Sequence, residues 1–201
     1  MKSRRIFITG LLLLTLTASV AMSSGLFGGG VKGDTLLVDA VPGPRTLYRI
    51  TPQGQIIKSN DSGQSWTPVD GPRSRATALA VVNEQVLYVG TESAGMFKSR
   101  DGGLTWEHAS DGLGPMPHVT VTALAVDQND DDLVYAATGY WFGTSEAHFA
   151  PMDVYVSHDA GASWESLSQG PTSGVVSQLS FDPAAPDLLR AELAGGGVVV
   201  Y

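Results

Sequence analysis

From residue 36 onward the apolar positions come in short runs separated by glycine, proline and polar residues. Thr77-Ala78-Leu79-Ala80-Val81, Val86-Leu87-Tyr88-Val89 and Gly95-Met96-Phe97-Lys98 follow one another in close succession. The series returns as Thr122-Ala123-Leu124-Ala125-Val126, Leu133-Val134-Tyr135-Ala136 and Asp153-Val154-Tyr155-Val156. Runs this short, rich in Val, Tyr and Leu and bounded by turn residues, predict β-strands. The 24 glycines point the same way, towards many turns and away from long helices.

Each third run ends in a common motif. Ser59-Asn60-Asp61-Ser62-Gly63-Gln64-Ser65-Trp66, Ser99-Arg100-Asp101-Gly102-Gly103-Leu104-Thr105-Trp106 and Ser157-His158-Asp159-Ala160-Gly161-Ala162-Ser163-Trp164 all read S-x-D-x-G-x-[ST]-W. The residue types suit a hairpin turn. An Asp carboxylate accepts hydrogen bonds from the turn amides that follow it, Gly takes a left-handed backbone angle, and Trp buries a large face against a neighbouring sheet. Each unit therefore reads as three strands, a turn carrying the box, and a fourth strand that starts near Trp. Four antiparallel strands in a unit of roughly forty residues make a propeller blade.

These segments resemble the Asp-boxes, or BNR repeats, of sialidases, sortilin-type receptors and photosystem II assembly-factor-like proteins. The resemblance covers residues 34–201, and it implies an all-β, propeller-like array while saying little about activity. Blade one is expected at Leu36–Val38, Leu47–Ile50, Gln55–Lys58 and Trp66–Val69. Ser177 to Asp182 lines up with Thr122 to Asp127, and Leu188 to Ala191 with Leu133 to Ala136, which predicts a fourth blade lacking its outer strand. The open edge on Gly197 to Tyr201 then calls for a cover: the segment after the linker, a second copy, or another polypeptide.

The spacings between boxes are 40 and 58 residues. The extra length of the third unit falls mainly in two places, between Trp106 and Thr122 and between Tyr135 and Ser157. Both insertions are expected on the end of the array opposite the boxes. The second carries Tyr140, Trp141, Phe142, Glu146, His148, Phe149 and Met152, an aromatic loop that either packs over the propeller or meets a partner. Trp141 and Phe142 are its leading candidates for contact.

Charge and the N-terminus narrow the setting. Residues 1–5 are basic, 6–18 apolar, and Ser19-Val20-Ala21 offers small residues for cleavage after Ala21, the three-part layout of a secretory signal. Ser3-Arg4-Arg5-Ile6-Phe7-Ile8 resembles a twin-arginine export signal. Retention of residues 6–22 as a membrane anchor is the alternative, and either reading puts the rest outside the cytoplasm. The expected organisation is a signal or anchor over 1–24, a Gly-rich linker over 25–33 and the repeat array over 34–201. Gly28 to Gly33 spells GxGxxG, but without a preceding strand it reads as linker. Beyond the leader, 9 basic side chains face 20 acidic ones, a surface that repels phosphate backbones and disfavours nucleic acid. The absence of cysteine excludes disulfides, thiol nucleophiles and thiolate metal sites.

For a sialidase the resemblance implies three clustered arginines, a Tyr–Glu pair and an acid/base carboxylate on a six-bladed ring. Tyr48-Arg49-Ile50 is similar to the family's arginine-bearing element, yet Thr51 replaces its Pro and the segment lies inside a blade hairpin. Glu92, Glu146 and Asp153 are the acids on a plausible face for glycoside hydrolysis. Asp127, Asp130, Asp131 and Asp132 form an acidic turn with oxygen ligands for Ca²⁺ but no EF-hand spacing. His108, His118, His148 and His158 show no metal-ligand spacing. The expectation is a non-catalytic protein-binding or scaffold module, with no cofactor, whose partner is a protein or a second copy. The rival is a glycan binder or a relative of a glycosidase.

Overall fold

The computed structural model describes residues 36–38, 46–114, 119–127, 129–143, 146–167, 172–182 and 185–201. The expected leader, the linker and His118 lie outside them. The described residues form fifteen strands and no helix. Blade one is β1 (Leu36–Val38), β2 (Leu47–Ile50), β3 (Ile56–Ser59) and β4 (Thr67–Pro68). Blade two is β5 (Ala76–Val81), β6 (Leu87–Thr91), β7 (Met96–Ser99) and β8 (Glu107–His108). Blade three is β9 (Val119–Val126), β10 (Val134–Phe142), β11 (His148–Ser157) and β12 (Glu165–Ser166). Blade four contributes β13 (Val176–Asp182), β14 (Ala185–Leu193) and β15 (Val198–Val200). Each sheet is an antiparallel meander in chain order. The protein is an all-β, propeller-like array, as the repeats predict, although the fourth strands span only two residues each.

The core lies between blades, and the sheets of blades two and three bury both of their faces. Leu79, Leu87 and Val89 face blade one, packing with Tyr48, Ile50 and Ile56, while Ala78, Ala80, Tyr88 and Met96 face blade three. A third cluster joins Ala123, Ala125, Ala137 and Val154 to Val176, Leu179, Leu189 and Ala191 of blade four. Alternate residues of one strand thus serve two different cores, which is why the inner strands read as unbroken apolar runs. The innermost strands β5, β9 and β13 contact one another in sequence. Small side chains permit that convergence: a Cβ on Gly90 would stand 2.5 Å from Val121 Cγ1. Among the described residues, β13 to β15 make no extensive contact with β1 to β4.

The three boxes repeat one hydrogen-bond pattern. In each, the Ser hydroxyl donates to Asp Oδ1 at 2.7–2.8 Å and accepts the Gly amide at 2.8 Å. The amide of Ser65, Thr105 or Ser163 donates to the same carboxylate oxygen at 2.8–2.9 Å, and the hydroxyl of that residue donates to the other oxygen. Three hydrogen bonds donated to one carboxylate group favour its charged form, so Asp61, Asp101 and Asp159 are each held down to about 2, chiefly by that hydroxyl. Gly63, Gly103 and Gly161 have φ of 90°, 91° and 85°, the left-handed region the turn requires.

Two further contacts per junction fix the blades together. Trp106 Nε1 donates to Asp70 O of blade one at 2.7 Å, and Trp164 Nε1 to Ala109 O of blade two at 2.9 Å. In the other direction Tyr48 Oη donates to Gly102 O at 3.2 Å, and Tyr88 Oη to Ala160 O at 2.9 Å, so a tyrosine of each blade holds the box of the next. Lys98 Nζ joins the second of these at 2.8 Å from Ala160 O while lying 5.0 Å from the centre of the Tyr88 ring. Burial raises the Tyr88 phenol well above its ordinary value and lowers the Lys98 ammonium below its own. Trp66 of blade one instead donates to its own Gly63 O at 3.1 Å and stacks beneath Arg49, whose guanidinium lies 4.7 Å from the ring centre.

Candidate functional site, an aromatic hairpin on blade three

Successive turns of an antiparallel meander alternate ends. The boxes join third to fourth strands, so the β2–β3, β6–β7 and β10–β11 turns share the opposite end with the loops between blades. Both insertions of the third unit therefore emerge on the non-box end. They also approach each other: a Cβ on Gly114 would stand 3.2 Å from Met152 Cε and 3.3 Å from Tyr155 Oη.

The long insertion is not the loop expected from the sequence. β10 and β11 stay paired beyond Ala137, with Gly139 opposite Pro151, Tyr140 opposite Ala150, Trp141 opposite Phe149 and Phe142 opposite His148. β9 runs alongside as far as Tyr140, and the last two pairs form a two-stranded ribbon. A register shift between Ala137 and Gly139 starts the extension. Its sequence signal is the run Tyr140-Trp141-Phe142, residues that favour strands, which extra length between blade strands otherwise disguises as a loop.

Period-two alternation divides the aromatics between two faces. Trp141 and Phe149 share one face as an edge-to-face pair with centroids 5.1 Å apart. Gly139 supports that face, since a Cβ there would lie 2.3 Å from Phe149 Cζ. Tyr140, Phe142 and His148 share the other, with Phe142 5.8 Å from Tyr140 and 5.5 Å from His148 between ring centres. Tyr140 is 37% exposed and Phe142 48% exposed, while Trp141 and Phe149 are half-buried. Of the two leading candidates, Trp141 has its ring against Phe149, whereas Phe142 with Tyr140 forms the more exposed patch. Glu146 and His148 are exposed at and beside the tip.

The remaining candidates are dispersed. Glu92 faces Arg75 at 3.7 Å on blade two. Asp153 accepts a hydrogen bond from Ser166 Oγ at 2.7 Å. Glu146 lies at the ribbon tip, so each of the three acids has separate surroundings. Arg49 sits in β2 against Trp66, within the blade hairpin as its spacing predicts. Arg100 is exposed and donates to Glu107 at 2.8 Å. His158 is exposed and faces Glu165 at 3.5 Å. In the acidic turn, Asp127 Oδ1 accepts the amides of Asn129 and Asp130, and Asp130 Oδ1 that of Asp132. These carboxylates cap turn amides. Among the described residues no group of three or more His, Asp or Glu is placed to hold a metal ion, and no helix is long and apolar enough to cross a membrane.

No family model and no curated protein matches the chain. Solved structures do. An ancestral GH74 enzyme aligns over 92% of this chain and 24% of its own, with a TM-score of 0.62 and 20% identity. The GH74 xyloglucanase from Xanthomonas campestris aligns over 81% of this chain and 26% of its own, with a TM-score of 0.55 and 20% identity. YCF48 bound to a D1 peptide aligns over 77% and 45%, with a TM-score of 0.47 and 14% identity. The chain spans about a quarter of the length of the two GH74 structures. What it shares with them at this identity is the propeller fold.

Proposed function

We propose that the protein is an exported, non-catalytic Asp-box propeller module that binds a protein partner through the ribbon of blade three. One observation carries this reading: an aromatic patch of Tyr140 and Phe142 stands exposed where β10 and β11 extend beyond the rest of blade three, and a solitary domain gains nothing by wetting it. Trp141 and Phe149 brace the ribbon from behind, and Glu146 and His148 give the patch a polar rim. The basic and apolar layout of residues 1–22 supports export by cleavage or anchoring, with 25–33 as linker and 34–201 as the array. Pairing through the edge of blade four is a second route to a partner. Absence of a cofactor fits the acidic turn, whose Asp127 and Asp130 carboxylates accept its own amides.

A glycosidase is the alternative, favoured by the shared fold with GH74 enzymes. The separate surroundings of Glu92, Glu146 and Asp153 support the non-catalytic reading, because acid/base hydrolysis uses two carboxyl groups about 5–10 Å apart across one bond. The test is an assay of the purified chain on aryl glycosides and on xyloglucan, alongside quantitative capture of extracytoplasmic proteins by the wild type and by Y140S/F142S. The reading expects no hydrolysis and one captured species lost in the variant. Hydrolysis abolished by Glu146→Gln would overturn it.

A further inference from the structure

We propose that a groove beside blade two, separate from the ribbon, binds the carboxylate-bearing sugar of an acidic glycan. The groove has a volume of about 590 Å³ and lies between the loop leaving blade one and the β6–β7 turn and outer strands of blade two. That volume is within the roughly 300–1,000 Å³ of ligand sites and accommodates more than one sugar ring. It is lined by Arg73, Arg75, Glu92, Phe97 and His108, with the Ser74 and Ser93 hydroxyls 3.4 Å apart.

The charge of the lining runs against that of the chain. Beyond the leader the protein has 9 basic and 20 acidic side chains, yet here two arginines two positions apart meet a single glutamate. Arg75 is oriented in advance, its Nε donating to Gln53 O at 3.3 Å and its Nη2 to Pro52 O at 3.1 Å, with Glu92 at 3.7 Å. Arg73 is exposed and engages no partner among the described residues. A guanidinium whose five donors are uncommitted, beside one already fixed, fits a carboxylate.

Glu92 decides the class of ligand. A run of acidic side chains would meet it with like charge, whereas a sugar acid places hydroxyls beside its carboxylate and can donate to Glu92 while accepting from Arg73. The two serine hydroxyls serve the same ring. Phe97 and His108 lie with centroids 4.2 Å apart and ring planes tilted by 43°, and supply the aromatic surface against which an apolar sugar face packs. A hexuronate unit meets all four features, and a neutral sugar leaves Arg73 unused.

Titration calorimetry of the full chain with trigalacturonate at low salt tests the site, with maltotriose and tetraglutamate in parallel. Trigalacturonate is expected to bind, maltotriose at least roughly tenfold more weakly, and tetraglutamate not measurably. Arg73→Gln is expected to weaken trigalacturonate by about tenfold or more, and Arg73→Lys by less, because the charge remains but the fork is lost. Arg73 is exposed, so neither change threatens folding. Absence of binding, equal binding by the Arg73→Gln chain, or tetraglutamate binding as tightly as the uronate would each overturn the proposal.

Discussion

Trp164 Nε1 of blade three donates to the carbonyl of Ala109 in blade two at 2.9 Å, and both residues are buried. Trp106 makes the matching bond to blade one, whereas Trp66 turns back on Gly63 of its own box. The same residue in the same motif therefore has two energetic roles, depending on whether its indole reaches the preceding blade or its own box. Trp164→Phe leaves a buried carbonyl without its donor and is expected to cost about 1–3 kcal/mol. Trp66→Phe breaks only a local, partly exposed bond and is expected to cost about 1 kcal/mol or less. Urea denaturation of the two variants measures the difference, and equal losses would contradict the cross-blade role.

The box carboxylates set the acid limit of stability. Their folded values of about 2 lie below the ordinary carboxylate value near 3.8, so they stabilise the fold above about pH 4. That contribution is lost as pH falls from about 4 towards 2, and raising the pH above neutral leaves it unchanged. Circular dichroism melts across pH 2–7 are expected to show a steep fall below pH 4. Asp101→Asn is expected to lower the neutral-pH melting temperature and to make the acid slope shallower.

Two glycines separate conformational need from mere occurrence. Gly103 has φ of 91°, and a Cβ there would stand 2.7 Å from Val69 Cγ1, so Gly103→Ala is expected to destabilise by about 1–3 kcal/mol. Gly195 has no atom within 4 Å of such a Cβ and an ordinary φ. Gly195→Ala is expected to be neutral or to stabilise by up to about 1 kcal/mol by restricting the unfolded chain. Denaturant midpoints of both variants check the pair.

The ribbon's exposed face is expected to carry little stability. Y140S/F142S removes side chains that contact mainly each other and His148, so the change should stay within about 1 kcal/mol while surface-dye binding falls. Trp141→Ala removes the half-buried partner of Phe149 and is expected to destabilise more. Reversal of that order in thermal melts would mean that Tyr140 and Phe142 hold the blade together.

Much of the fold was legible because its determinants are local. Ser, Asp and Gly of each box bond within eight residues, and the runs Thr77 to Val81 and Thr122 to Val126 show their burial directly in composition. The ribbon is not legible in the sequence because extra residues between two strands fit a loop as well as a continued pairing, and only the register of Trp141 against Phe149 distinguishes them. The reach of Tyr48 to Gly102 and of Tyr88 to Ala160 was hidden for a different reason. Its spacing of 54 and 72 residues leaves only a recurrent Tyr in each unit as its sign. The Arg73 groove was likewise scattered over two blades, with the pair Arg73 and Arg75 in an acidic chain as its single sequence signal.

Site-specific photo-crosslinking in the native host tests the binding surface most directly. A benzophenone amino acid at Phe142 is compared with one at Leu104, which is 79% exposed on the box end of blade two. The account predicts one discrete crosslinked protein from position 142 and none in common with position 104. No adduct at 142, or the same adducts at both positions, would contradict the ribbon as the surface through which this protein acts.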